Sequence, residues 1–337
     1  MSAVSTVNGE KLIFGYPAKD IPWERVILIG AFVALMVFYT FATENFFTLD
    51  NFTNVVRRDA WLFFLAYAQT IVIISGGFDL SQGSIMSIVS VMAWSAMLHL
   101  GFVGGLVSGL LVGTLCGLIN GYFIGVVRVY PFIATLGMLF VGSGAAQLWT
   151  GGLQMGGSRE GATLPTHVEN TYVALSKGSL GPIPLPVIWV LIALGVTWYL
   201  LKFTRFGTYV YALGGSEETA VSAGISFSRM KIGIFALSGL FCAIGGLLLS
   251  ANVSAAGEPR LGGGDQLLQS IGATIIGGTH IFGGRGGVLG TTLGALLIIF
   301  LVNGLNVLSI DTYRQQIIVG LVILASIWVS TLREQKK

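Results

Sequence analysis

TRFGTYVYALGGSEETAVSAGISFSRMK, residues 204–231, is the longest polar-leaning stretch away from the termini that carries a cluster of positive charge. Within it, the run from Gly214 to Gly224 reads as one short helix. Ser216 is placed to cap its start, Glu217 and Glu218 suit the positive N-terminus, and Gly224 suits the left-handed position past its end. About seven helical residues span roughly 10 Å. So short a helix is marginal alone and needs packing or a partner to hold it. The chain on either side is apolar enough to sit in lipid. The stretch is therefore read as a polar knob through which a membrane-embedded body receives force from a soluble partner.

Composition supports that frame. Charged residues make up 10% of the 337, against roughly 25% in soluble domains. The hydrophobic share is 54% and the mean hydropathy +0.82. Together these imply an all-α, polytopic membrane protein. The 48 glycines are about twice the usual proportion and point to closely packed helices. A net charge of +3 carries no nucleic-acid signal. Cys116 and Cys242 both fall in apolar spans and read as inert buried thiols. The first 25 residues hold no apolar run followed by a cleavage site, so the run 26–43 is expected to stay in the membrane.

Charge-free windows locate about ten crossings, near 26–43, 60–77, 83–99, 103–127, 132–150, 187–203, 231–252, 266–282, 287–306 and 314–331. With an even number, both termini share a side. That side carries 12 Lys and Arg, against 6 on the other (Arg57, Arg58, Arg159, Lys177, Arg260 and Arg314). Positive charge marks the cytoplasm. The expected division is a cytoplasmic segment 1–25, a transmembrane domain 26–332 and a cytoplasmic tail 333–337. Residues 204–231 then form a cytoplasmic loop, and 151–186 the longest external loop, placed to sit over a cavity mouth.

Glycine recurs every four residues from Gly101 to Gly125, a spacing that lets helix backbones approach closely. Each step drifts about 40° around the helix, so the groove can meet more than one neighbour. Other glycines break spans. SGGFDLSQGS (75–84) interrupts the second and third, GGGD (262–265) opens the eighth, and GGTHIFGGRGG (277–287) closes it. Gly76, Gly77, Asp79, Gly283, Gly284 and Arg285 are the candidate helix-break or gating residues. Asp79 is expected near the interface, capping the helix that starts at Ser81 or serving a gate. A faint echo between GTLCGLING (113–121) and GTTLG (290–294) with Asn303-Gly304 is compatible with duplicated or inverted halves.

No phosphate-binding GxxxxGK[ST] is present, and His99, His167 and His280 are scattered, so neither a nucleotide cradle nor a metal site is expected. GGGD matches the GxGD of intramembrane aspartyl proteases, but that chemistry needs a second intramembrane Asp sharing a proton. Asp79 and Asp311 are the other candidates and neither has a mid-span helical setting. The spans offer neutral amides and hydroxyls: Gln69, Thr70, Asn120, Thr135, Gln147, Gln269, Thr274, Asn303 and Asn306. These suit an uncharged polyhydroxylated solute. Any one of them is more readily a helix–helix hydrogen bond than a solute contact. Asn120, Thr135, Asn303 and Asn306 are taken as lining the translocation path.

SGGFDLSQGS (75–84), NGYFIGVVRVYPFIATLGM (120–138), TRFGTYVYALGGSEETAVSAGI (204–225) and GATIIGGTHIFGGRGGVLGTTLGA (272–295) resemble the ribose-type permeases of bacterial ABC sugar importers, a family distantly related to branched-chain amino-acid permeases. The likeness runs over about 45–330 with the motifs in the family's order. It implies a multi-pass inner-membrane subunit that imports a monosaccharide and does no covalent chemistry. It also implies a second permease copy, identical or paralogous, cytoplasmic ATPase subunits that bind ATP and Mg, and a periplasmic or lipid-anchored binding protein. By the same resemblance the ATPase docks on Gly214, Gly215, Ser216, Glu217, Glu218, Ala220 and Gly224. Glu217 is expected to favour the helix start and Glu218 to touch the partner. The sequence departs from the family pattern at Ser216 (usually Asn), Thr208 (usually Arg), Gln82 (usually small and apolar) and His280 (often Ser). The last two put in doubt any transfer of solute identity. A nucleoside, signal-molecule or branched-chain amino-acid importer, and an ATP-independent carrier, are the alternatives.

Overall fold

The computed structural model describes residues 4–7, 10–13, 16–17, 23–156, 163–253 and 257–334. A small antiparallel meander comes first: β1 (Val4–Val7), β2 (Glu10–Ile13) and β3 (Tyr16–Pro17). Helices α1 (Trp23–Ala42), α2 (Leu49–Ile74), α3 (Gln82–Gly125) and α4 (Pro131–Thr150) follow. Next come α5 (Thr166–Lys177), the two-residue strands β4 (Ser179–Leu180) and β5 (Ile183–Pro184), and α6 (Leu185–Phe203). The chain then forms α7 (Arg205–Gly215), α8 (Glu217–Ser222), α9 (Phe227–Val253), α10 (Gly264–Ile276), α11 (Val288–Val307) and α12 (Thr312–Glu334). The protein is an all-α, multi-pass membrane protein. Among the described helices, α3, α4, α6, α9 and α11 are long and apolar enough to cross a membrane. The 13 residues of α10 reach only about 20 Å.

Every residue of α2 from Ala60 to Ile74 is buried, so this helix is the post around which the others pack. A helix apolar on all faces belongs in such a place. The outward faces of α4, α6 and α12 expose Phe140, Val141, Leu191, Ile192, Leu321 and Trp328.

The reversal between the expected crossings 83–99 and 103–127 occurs at Gly101 (φ 69°, ψ −173°), which divides α3 into two limbs. A side chain is rarely accommodated at that φ. The glycine ladder then does two jobs. A Cβ at Gly105 would strike Met97 and the Ala93 carbonyl on the first limb. One at Gly113, Gly121 or Gly125 would come within 2.8 Å of Ala243, Ile232 or the Ser228 carbonyl on α9. The winding groove thus packs the second limb against both neighbours.

Helix α9 serves as a ruler of height. Lys231 meets Ser75, Ser238 meets Asp79, Gly246 meets Met86 and Ser250 meets Ser90. The non-helical residues 75–81 therefore climb from the first turn of α9 to its middle before α3 begins. The stretch 151–186 is not all loop: α5 packs inward, and the Tyr172 hydroxyl donates to the Leu247 carbonyl at 3.2 Å.

Candidate functional site

Residues 214–224 do not form a single helix. Gly214 and Gly215 complete α7, and Ser216 (φ −160°, ψ 111°) separates it from α8. The Ser216 hydroxyl accepts from the Thr219 N–H at 3.2 Å, which is the expected N-cap. Gly224 takes φ 86°, the left-handed conformation that ends the knob. One face of α8 anchors it, because Ala220 is buried against Leu213 and Phe227. The opposite face leaves Glu217, Glu218, Thr219 and Val221 exposed.

Glu217 has a partner within the chain. The Arg128 guanidinium donates to Glu217 Oε1 at 2.5 Å and lies 3.8 Å from the centre of the Phe227 ring. Arg128 is in the α3–α4 connection, at φ 66°. The pair therefore ties the knob to that connection. Glu218 remains exposed on the outer face.

Three glycine-rich stretches, far apart in the chain, converge behind the knob. Gly284 donates its N–H to the Ile74 carbonyl at 2.9 Å, joining the 277–287 loop to the end of α2. Gly214 fits between them: a Cβ there would overlap the Ile74 carbonyl and stand 2.6 Å from the Gly284 nitrogen. A Cβ on Gly76 would lie 3.8 Å from the Gly214 Cα, and one on Gly283 would lie 3.0 Å from the Gly76 nitrogen. Gly77 lies against Pro131 at the start of α4. The Tyr211 hydroxyl, whose pKa burial raises, donates to the Gly286 carbonyl at 2.9 Å. Arg285 is exposed at a cleft it shares with Gly278, Gly287 and Leu28. Of the coupling and helix-break candidates, Gly214, Gly76, Gly283 and Gly284 thus form one junction, with Gly77 and Arg285 beside it and Asp79 away from it.

Lys231 holds that junction from inside. It is 3% exposed, and its ammonium donates to the Ser75 carbonyl at 2.6 Å and the Ser75 hydroxyl at 3.2 Å. A cation at the carbonyl end of α2 complements the helix dipole. By sequence Lys231 is one more of the positive charges that set the orientation, and no local pattern distinguishes it from an exposed lysine.

Asp79 is fully buried and level with the middle of α9, not at the edge of the body. Its carboxylate accepts from the Ser81 N–H at 2.9 Å, the Ser81 hydroxyl at 2.5 Å and the Ser238 hydroxyl at 2.7 Å. Asn120 donates to the Ser81 hydroxyl at 2.9 Å, and the Thr135 hydroxyl, shared with the Pro131 carbonyl at 2.8 Å, lies 3.3 Å from the Phe78 carbonyl. Both therefore brace the broken segment 75–81. Asn303 and Asn306 stand near the far end of α11, roughly 22–27 Å along the helix from Val288. Asn303 is buried with its Nδ2 unpartnered, while Asn306 Oδ1 accepts from Gln315 at 2.8 Å. The four path candidates are thus split between two places.

Asp265 accepts from Gln316 at 2.8 Å, and Asp311 pairs with Arg314 at 3.0 Å. With Asp79 bonded to serines, the three acids form no proton-sharing dyad. Among the described residues, no group of His, Cys, Asp and Glu could hold a metal ion.

Residues 51–327 match the family model described as "Branched-chain amino acid transport system / permease component". The chain is 32% identical over 332 residues to the ribose import permease protein RbsC of Escherichia coli K12, covering 98% of this chain and 99% of that protein. It is 36% identical over 310 residues to the Haemophilus influenzae protein of the same name, covering 91% and 93%. It is 32% identical over 307 residues to the fructose import permease protein FrcC of Rhizobium meliloti, covering 90% and 83%. No solved structure matches the chain. A match that spans α2 to α12, and relatives that align end to end, make the chain a member of the family of branched-chain amino acid transport system permease components.

Proposed function

We propose that this chain is the membrane-spanning subunit of an ABC importer that carries a monosaccharide, a pentose or a hexose, inward through the bacterial inner membrane. It is a transport subunit and not an enzyme. Energy comes from ATP hydrolysed, with Mg, on separate cytoplasmic subunits. The similar import permeases for ribose, allose, fructose and xylose support a sugar as cargo. The observation that carries the coupling claim is the contact of Gly214 with both Ile74 and Gly284. Through it, a push on a capped surface helix reaches two helix breaks at once.

In this reading the chain crosses ten times, with both termini and the α7–α8 knob in the cytoplasm. Gly214, Gly215, Ser216, Glu218, Ala220 and Gly224 form the docking element, while Glu217 holds it to Arg128. Gly76, Gly77, Asp79, Gly283, Gly284 and Arg285 form the hinge that responds. Asn120 and Thr135 serve the path by bracing that hinge, and Asn303 and Asn306 serve it at the external end. A second permease copy completes the channel, and a periplasmic or lipid-anchored binding protein delivers the solute.

The test is uptake into vesicles holding the chain with its genomic neighbours, using D-ribose, D-allose, D-fructose, D-xylose and L-leucine. ATP-dependent uptake of one of the sugars is expected. Uptake that persists without ATP refutes the importer, and uptake of leucine alone identifies an amino-acid carrier.

A further inference from the structure

Two helices begin part-way up the body, α3 in its interior and α10 at an exposed flank beside it, and point in opposite directions. α3 starts at Gln82, level with the middle of α9, after the non-helical climb of residues 75–81. α10 starts at Gly264, after residues 257–263 have run down beside the first limb of α3. That descent is held by Glu258 N–H on Ser90 Oγ at 2.9 Å and Gly262 N–H on Ser87 Oγ at 3.0 Å. The two starts meet where Gly83 and Gly262 are in backbone contact, with no room for a Cβ on either. Non-helical backbone at membrane depth is tolerated where it lines a cavity, and paired broken helices commonly mark a midplane solute site.

One side chain at this seam has nothing to bond to. Gln69 is fully buried, and neither its Nε2 nor its Oε1 has a partner. Gln82 Nε2 donates to the Leu65 carbonyl at 3.0 Å, and Thr274 Oγ1, shared with the Ser270 carbonyl at 2.9 Å, lies 3.2 Å from the Ala66 carbonyl. Residues three and four places back flank a position on a helix. Gln69 therefore faces the seam between the start of α3 and α10. The Ser270 hydroxyl donates to Gln82 Oε1 at 2.6 Å and closes the seam. Gln266, in the first turn of α10, has a buried Oε1 that is also unpartnered.

A primary amide sets a donor beside an acceptor, the pattern that adjacent hydroxyls of a polyol complete. Leaving both unpaired in a dry core costs free energy, so a seam that opens to hydroxyls is favoured by what it satisfies. The positive helix starts already have carboxylates, Asp79 at α3 and Asp265 in the first turn of α10, which leaves an anionic or zwitterionic solute without a counter-charge.

We propose that Gln69, with Gln82, Gln266 and Ser270, forms a midplane binding site for a neutral polyhydroxylated solute, closed in this conformation and opened when α10 separates from α2 and α3. This rests on the importer reading and adds solute contacts distinct from Asn120, Thr135, Asn303 and Asn306.

The test compares wild type with Gln69→Met in the full importer, measuring uptake of each of the four sugars beside its monodeoxy analogues. The binding protein's own preference is common to both proteins and cancels in the ratio. Wild type is expected to favour at least one parent sugar over an analogue by a factor that falls about fivefold in Gln69→Met, the loss of one typical hydrogen bond. Gln69→Met is also expected to be no less heat-stable than wild type, because it removes an unsatisfied buried amide. Unchanged discrimination with uniformly slower uptake makes Gln69 a packing residue and overturns the proposal. Unfolding of both Gln69→Met and Gln69→Ala overturns it as well, since the amide would then be satisfied and structural. Failure of the wild type on all four sugars refutes the importer reading itself, and this inference falls with it.

Discussion

The N–H of Gly284 donates to the carbonyl of Ile74 at 2.9 Å, and Gly214 is wedged against both atoms. The end of the central helix α2, the loop between α10 and α11, and the base of the knob are therefore one mechanical unit. The only residue that fits the wedge is one without a side chain.

Gly214→Ala is expected to break that unit. Its Cβ would overlap backbone, which cannot swing aside as a flexible side chain can. ATP-driven uptake should fall tenfold or more, with a lower melting temperature. Gly195→Ala, on the exposed side of α6, meets nothing within 4 Å and should stay near wild type in both. Equal behaviour of the two variants would contradict the junction.

Ser216→Ala removes the cap of α8, worth about 1 kcal/mol of local helix stability. Ser216→Asn keeps an acceptor and should keep the helix. Amide exchange across residues 217–222 should speed up several-fold in the alanine variant alone, with uptake reduced and the melting temperature of the whole body unchanged.

The Arg128–Glu217 pair is about half exposed on both sides, so Glu217→Gln should change stability by less than about 1 kcal/mol. Arg128→Ala should cost more, because it also removes the cation from the face of Phe227. The exchange Arg128→Glu with Glu217→Arg should recover part of the uptake that either change alone loses. No recovery would mean that the two residues act separately.

Lys231→Met leaves the Ser75 carbonyl buried and unpaired, at a cost of about 1–3 kcal/mol. Ser75→Ala keeps the carbonyl contact, losing the longer Lys231 contact and the hydroxyl's bond to the Val72 carbonyl at 2.8 Å, and should cost less. Thermal unfolding of the purified complex distinguishes them, and a reversed order would show that the carbonyl contact is unimportant.

Features that depend on neighbours in sequence were legible before the structure. The Ser216 cap and the Gly224 terminator follow from local residue chemistry, and a reversal near Gly101 from an apolar run too long for one crossing. The glycine ladder announced a helix with close neighbours because its spacing is helical. Its two partners are set by three-dimensional packing and were not readable. The breaks at 75–84, 262–265 and 277–287 were visible as breaks, yet the first and third meet at Gly214 and the first and second at Gly83. Those pairings join residues more than a hundred places apart and leave no local trace. Gln69 stood among nine neutral polar residues of the spans. Only the positions of every nearby donor and acceptor show that both ends of its amide are left unpaired.

The central claim is that the α7–α8 knob is where a cytoplasmic ATPase drives this chain. Glu218→Cys places a thiol on the exposed face of α8, while both native thiols, Cys116 and Cys242, are buried. Cross-linking of this variant in its assembled complex is the most direct measurement, with Leu180→Cys at the opposite end as the control. The account predicts a covalent product between Glu218→Cys and the ATPase subunit, with a yield that changes on adding ATP, and none from Leu180→Cys. A product from Leu180→Cys, or none from Glu218→Cys in a complex that transports, would contradict it.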